Sequence, residues 1–199
     1  MTLALALLGW SGPAFLLLAL TLFTVYFFRN PERQVPHEPN AVISPADGRV
    51  VFVGEVEEKR LVHARMLKVS VFMSVFNVHV NRVPFAGKVV DLFYNKGSFL
   101  NAALDKASEC NECSGMLMET PSGQRFLVVQ IAGLIARRIV SYPRIGMTLE
   151  KGMRYGLIRF GSRVDLYLPP KWQVTVRHGD KVVGGETIIG YAESEKSSV

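Results

Sequence analysis

From Ala41 onward, glycine-bearing turns cut the chain into short apolar runs, and that spacing leaves little room for anything but β structure. The turns fall at Asp47-Gly48 in "ISPADGRVVFVGEV", Ala86-Gly87 in "VPFAGKVVDLFY" and Ser122-Gly123 in "METPSGQRFLVVQIAG", then at Gly179-Asp180 and Gly184-Gly185 in "VRHGDKVVGGETIIGYA". Each is flanked by Val, Ile or Phe, residues that fit a pleated surface. The pattern predicts a mainly β domain over residues 41–199, with little helix. Within it, "SFLNAALDKASECNE" alone has apolar spacing near 3.6, at Phe99, Leu100, Ala103 and Leu104, and is expected as a helix or a long loop.

The first 28 residues contain no Asp, Glu, Lys or Arg, and the first charge is Arg29. About 20 apolar residues cross a bilayer, so residues 1–28 read as a hydrophobic membrane anchor. The interruption Gly9-Trp10-Ser11-Gly12-Pro13 leaves "AFLLLALTLFTVYFF" as the stronger half, either one kinked helix or part of a re-entrant hairpin. A cleaved signal peptide fits less well, because there is no basic n-region and no small-x-small site lies between the apolar core and Arg29. Arg29 and Arg33 follow the apolar segment, which by the positive-inside rule places residues 29–199 on the cytoplasmic side of the cell membrane. Residues 29–40, "RNPERQVPHEPN", hold three prolines and no apolar periodicity, and read as a linker. A length of 199 residues suits one compact domain with an appendage. The net charge of +6 suits an anionic membrane surface, and without a Lys/Arg-rich run no nucleic-acid partner is expected.

Cys110 and Cys113 in "ECNEC" have the spacing of a metal or redox pair. Zinc wants two further ligands, and His37, His63, His79 and His178 offer no matching pair. No βαβ pattern makes the pair thioredoxin-like either, so reduced thiols and no metal are expected.

The run "GLIRFGSRVDLYLPP" reads as one buried strand ended by Pro169-Pro170, yet it carries Gly161-Ser162. Glycine weakens a strand interior, so the pair marks either a bulge or a reacting peptide bond. Three polar residues among strands bear on that choice. Taken singly, Asp47 is a turn residue, His79 a half-buried strand histidine between Val78 and Val80, and Ser162 a small residue after glycine. Taken together they are the parts of an activated nucleophile, in which a carboxylate orients a base and the base takes a hydroxyl proton. Ser162 Oγ reaches the Gly161 carbonyl carbon only through a strained five-membered ring, which an unsubstituted Gly161 eases. The resulting ester can eliminate to dehydroalanine and end as a pyruvoyl group.

Three turns share the form Gly-Arg/Lys-Val-Val or Asp-Lys-Val-Val, which resembles the barrel-sandwich hybrid of lipoyl- and biotin-carrier domains, although no lysine stands at the required turn tip. In order along the chain, "FRNPER", "SPADGRV", "FNVHVNRVP", "DKASECNE", "QIAGLIARRIV" and "GLIRFGSRVDLYLP" are similar to the short membrane-associated phosphatidylserine decarboxylases. The resemblance covers about residues 28–191. It implies that Asp47, His79 and Ser162 are a self-processing triad, that cleavage falls between Gly161 and Ser162, and that Ser162 becomes a covalent pyruvoyl cofactor. The implied substrate is phosphatidylserine in the lipid bilayer, decarboxylated to phosphatidylethanolamine in phospholipid biosynthesis. The pyruvoyl ketone takes up the substrate amine, and the adjacent amide carbonyl accepts the electron pair left as CO2 departs. His79 then delivers the proton, and Arg82, Arg137, Arg138 and Arg163 are candidates for the lipid phosphate. The expected protein is a heterodimer of its own two cleavage chains, with further homo-oligomerisation left open. Cys113 departs from the family pattern by standing where an arginine is expected. Two alternatives stand beside this reading: a pyruvoyl decarboxylase of another serine-headed lipid or a soluble amino acid, and a non-catalytic membrane-tethered adaptor.

Overall fold

The computed structural model describes residues 9–97, 111–133, 138–159 and 161–193. The chain divides into two compact units, residues 1–31 and 32–199. In the first, helix α1 spans Ser11–Phe27. Gly12 and Pro13 lie in its first turn, where a missing N–H costs nothing, so the interruption read from the sequence marks the start of the helix. Its 17 residues extend about 25 Å at 1.5 Å per residue. Among the described residues no helix is long and apolar enough to cross a membrane. Phe15, Leu18, Leu22 and Val25 of α1 are exposed.

Among the described residues the second unit has fourteen strands: β1 Ala41–Ile43, β2 Gly48–Glu58, β3 Ala64–Met73, β4 Val80–Arg82, β5 Gly87–Asn95, β6 Cys113–Glu119, β7 Arg125–Ala132, β8 Ile139–Ser141, β9 Thr148–Leu149, β10 Arg154–Ile158, β11 Ser162–Leu168, β12 Gln173–Val174, β13 Lys181–Val182 and β14 Ile188–Tyr191. The mainly β expectation holds. Eight strands form one sheet in the order β13-β2-β3-β11-β7-β6-β5-β9, curled into a half-barrel. Two three-stranded sheets, β1-β14-β12 and β4-β10-β8, complete the unit. The helix or loop expected around Phe99–Leu104 lies outside the described residues.

Most of the glycine turns do not close hairpins. β1 pairs with β14 while β2 pairs with β3 and β13, so Asp47-Gly48 is a crossing between sheets and not a type I′ turn. Ser122-Gly123 does close a hairpin, with Glu119 opposite Arg125 and Gly123 at φ +78°. The long β2–β3 hairpin turns without glycine. Glu58, nearly buried, accepts the backbone N–H groups of Arg60, Leu61 and Val62 at 2.7–2.9 Å, and His63 takes a positive φ of 51°. A carboxylate thus replaces the usual turn residues, which hid this hairpin from a search for Gly and Asn.

β11 lies near the middle of the large sheet, antiparallel to β3 on one side and β7 on the other. Val164, Leu166 and Leu168 enter the larger core with Val71, Met116 and Val128. The opposite face carries Arg163, Asp165 and Tyr167. Asp165 is fully buried, with Arg163 Nε at 2.8 Å and Nη2 at 3.1 Å, and Lys68 Nζ of β3 at 3.0 Å. Removing one member of a buried ionic group leaves the others desolvated and unpaired, which costs about 3–5 kcal/mol. Asp165→Asn should therefore destabilise the protein by about that amount, read from the midpoint of urea unfolding. A shift below about 1 kcal/mol would mean that the cluster does not hold the sheet.

Candidate active site

The run read as a single strand is two. β10 ends at Ile158 in the small sheet with β4 and β8, and β11 begins at Ser162 in the large one. Gly161 makes the change of direction with φ +57°, in the left-handed region. No atom lies within 4 Å of a β-carbon built there, so conformation and not crowding calls for glycine. Gly161-Ser162 is therefore a sheet-to-sheet corner, not a bulge inside a ladder.

Ser162 faces Met73 of β3 and Ala132 of β7. Its hydroxyl is completely buried and has no hydrogen-bond partner among the described residues. Leaving such a group unsatisfied costs about 1–3 kcal/mol, and a native fold keeps few of them without a reason.

His79 is brought to the same corner. Its carbonyl accepts the N–H of Ile158 at 3.3 Å, four positions before Ser162. The imidazole is nearly buried, with Nδ1 3.0 Å from the carbonyl oxygen of Asn77. That oxygen can only accept, so Nδ1 carries the proton and, in the neutral ring, Nε2 carries the lone pair. Strand alternation puts His79 on the side of Asn81. Asn81 donates from Nδ2 to Met73 Sδ at 3.7 Å and accepts from Gln130 Nε2 at 2.8 Å, and Met73 is the cross-strand partner of Ser162. Imidazole and hydroxyl thus share one buried neighbourhood.

Asp47 reaches this region from the other side. Arg33 Nη2 lies 2.8 and 3.1 Å from its two carboxylate oxygens, and the Gly184 N–H donates to Oδ1 at 2.8 Å. The following Gly48 packs so closely on β3 that a β-carbon would lie 2.1 Å from the Phe72 oxygen. A cavity of 570 Å³ runs from Asp47 past Phe72 to Ser74 and Asn77, the turn whose carbonyl holds His79. The acceptor at His79 Nδ1 is thus a backbone carbonyl, while Asp47 is engaged by Arg33 and Gly184.

Arg33 belongs to the stretch expected as a linker. Residues 32–38 instead lie against the β unit. Glu32 meets Arg154 at 2.6 Å, the Gln34 N–H donates to Glu186 at 3.2 Å, and Lys151 Nζ donates to the Glu38 carbonyl at 2.5 Å. Sequence reasoning passed over Arg33, Asn77 and Asn81. Asn81 had a signal, because it stands two residues after His79 across the start of β4 and so on the same side, whereas Asn77 acts through its backbone carbonyl from a turn.

Of the arginines expected at a phosphate, Arg163 is committed to Asp165. Arg82 is nearly buried and donates to the Gly152 carbonyl at 3.0 Å. Burial first, then the Arg154 and Arg33 charges, push its guanidinium below the usual range. Arg138 is exposed, and Arg137 lies outside the described residues. Among the described residues no three His, Cys, Asp or Glu side chains gather as metal ligands. Cys110 lies outside them too. Cys113 is buried, with Arg60 Nη1 donating to its Sγ at 3.2 Å.

The model of the phosphatidylserine decarboxylase family matches residues 20–190. The phosphatidylserine decarboxylase proenzyme of Syntrophotalea carbinolica is 62% identical over 190 residues, covering 96% of this chain and 89% of that protein. The proenzyme of Geobacter metallireducens is 58% identical over 191 residues, covering 94% and 87%. That of Geotalea uraniireducens is 55% identical over 189 residues, covering 95% and 88%. The chain belongs to the phosphatidylserine decarboxylase family.

Two expectations follow from this geometry. Arg33→Gln leaves the Asp47 carboxylate without its charge partner, and should slow appearance of the two cleavage chains about tenfold or more on a denaturing gel, with Arg33→Lys recovering part of the rate. Deletion of residues 1–28, which keeps Arg33, should leave the rate unchanged. Burial raises the Cys113 thiol above its ordinary range, against the lowering effect of Arg60. Cys113 therefore stays protonated at neutral pH, and iodoacetamide should label it only on unfolding, as read by tandem mass spectrometry.

Proposed function

We propose that this protein is a self-processing, pyruvoyl-dependent phosphatidylserine decarboxylase, releasing CO2 from phosphatidylserine to give phosphatidylethanolamine. The observation that carries the proposal is the fully buried, unpartnered Ser162 hydroxyl next to a left-handed Gly161 and in the neighbourhood of His79. Family membership supplies the substrate.

In this reading His79 Nε2 takes the Ser162 hydroxyl proton as Oγ bonds to the Gly161 carbonyl carbon. The C–N bond breaks, the nitrogen takes the proton, and an ester replaces the peptide. Loss of the Ser162 α-proton then expels the Gly161 carboxylate and leaves a dehydroalanine at 162. Its enamine nitrogen becomes an imine, and water replaces that nitrogen, which departs as ammonia. Asn77 fixes the tautomer that makes His79 a base, and the Arg33-paired carboxylate of Asp47 lies across the cavity from the same turn.

The residues at the corner fit the pyruvoyl group this chemistry yields. Residue 162 is small, buried and at the free end of a strand whose remaining residues are paired on both sides. When present, the group supplies an electron sink for decarboxylation. This chain's part is to exclude water, to hold residue 162 in register and to return a proton from His79. We read the β unit as barrel-sandwich-hybrid-like, supported by the small sheets that complete the half-barrel. We further place the catalytic unit on the cytoplasmic face of the cell membrane. The uncharged stretch of residues 1–28 and the exposed apolar side chains of α1 support this, since a surface helix in water keeps a polar face.

Purified protein should run as two chains under denaturing conditions, the smaller comprising residues 162–199 with a blocked first residue. Under native conditions the two should elute as one particle, because β11, β13 and β14 pair with strands of the larger chain. Ser162→Ala should give one intact chain with no CO2 release. Cleavage of the Ser162→Ala protein at the same bond would sink the reading. His79→Gln should lower cleavage by about a hundredfold or more.

A further inference from the structure

Arg49 and Lys181 stand directly opposite each other across β2 and β13, and both are exposed. Like charges in that relation repel and weaken a sheet. Among the described residues no carboxylate forms an ion pair with either. Arg49 Nη1 donates to the Gly179 carbonyl at 2.6 Å, while the neighbouring Asp180 carboxylate is turned to the Arg177 N–H at 2.8 Å. Both cations line the 570 Å³ cavity described above. Asp47, the one carboxylate on its walls, is already neutralised by Arg33 at 2.8 Å. The cavity therefore keeps two uncompensated positive charges beside an apolar wall of Val51, Phe72 and Val182.

The ladder relates these cations to the cleavage corner. Arg49 is the register partner of Phe72, and Phe72 is the register partner of Arg163, the residue after Ser162. Two ladder spacings, about 10 Å, thus separate Arg49 from Arg163, on the face opposite the Ser162 side chain, and the Ser74 and Asn77 wall of the cavity, just past the end of β3, connects that face to the turn beside His79. In a phosphoserine head group the phosphorus lies four bonds from the amine nitrogen. A long side chain such as that of Arg49 can bridge the remainder.

We propose that Arg49 and Lys181 bind a phosphodiester, the head-group phosphate of the lipid substrate, with Val51, Phe72 and Val182 against its glyceryl portion. The assignment rests on the decarboxylase reading above and adds the group that tells phosphatidylserine from free serine. Charge-assisted bonds from two cations to one phosphate are strong, and the anion relieves the repulsion between them.

The test compares wild-type protein with Arg49→Gln, Lys181→Gln and the double variant. The substrates are dihexanoyl phosphatidylserine below its micellar concentration, where no membrane surface exists, and vesicles containing phosphatidylserine. Inorganic phosphate is the competing probe. All variants should cleave into two chains as the wild type does. On the soluble lipid, KM should rise about tenfold for each cation removed, with kcat within about twofold. Phosphate should compete with the lipid in the wild type and at least about tenfold less well in the double variant. Unchanged KM on the soluble lipid overturns the proposal, including the case where only vesicle turnover falls and the cations serve a bilayer surface. Loss of phosphate inhibition with KM intact overturns the head-group assignment in favour of free phosphate. If the cleaved wild type releases no CO2 from either lipid, it is the decarboxylase reading that fails. Phosphate titration by calorimetry then decides the anion site alone: weaker binding by the double variant keeps it, and equal binding removes it.

Discussion

The position of β11 between β3 and β7 is the constraint on which the rest of this structure depends. Residues 162–167 are ladder partners of strands on both sides and Leu168 of β3, so the strand has lateral partners along its whole length beyond the Gly161–Ser162 peptide. The strand's location therefore survives breakage of its own N-terminal connection. The Asp165 cluster reinforces this from the far face, since Lys68 of β3 reaches the fully buried carboxylate that Arg163 also faces within β11. In the proposed reaction, sheet geometry would place residue 162 before the bond is cut and keep it there afterwards, which is preorganisation in its simplest form.

A similar economy governs charge around Asp47. A carboxylate at a sheet crossing needs compensation, and it receives one charged and one backbone donor from distant parts of the chain, Arg33 and Gly184. Arg33 also lies 3.8 Å from Glu186. The first turn of chain in the β unit and its last hairpin-like segment are thus joined through the same side chain. Residues 32–38 are accordingly part of the electrostatics around Asp47, held to the β unit through Glu32, Arg33, Gln34 and Glu38.

How much of this was legible in the sequence follows from which interactions are local. Strand-forming runs and their glycine punctuation are local, so the mainly β character could be read directly. Pairing is not local. "ISPADGRVV" has the composition of a hairpin, yet β1 and β2 go to different sheets, because β1 finds its partner in β14, more than 140 positions away along the chain. The β2–β3 hairpin was hidden for the opposite reason, since Glu58 does with a carboxylate what turns usually do with glycine. Ser162, His79 and Asp47 stood out as residue types that belong together chemically. The Arg33–Asp47 pair did not, because nothing short of the fold shows that a charge in a proline-rich stretch finds a carboxylate fourteen residues on.

Gly161 and Ser162 join these strands of argument. A left-handed φ at Gly161 turns the chain from the small sheet into the large one, and in doing so it takes the next residue out of solvent. The Ser162 hydroxyl is then buried without an acceptor among the described residues, a state of higher free energy than a solvated or bonded hydroxyl. In the proposed self-cleavage, the attack that turns this oxygen into an ester also removes the unsatisfied donor. The corner that joins the two sheets therefore also buries an unsatisfied hydroxyl beside the very peptide bond that the proposed reaction cleaves.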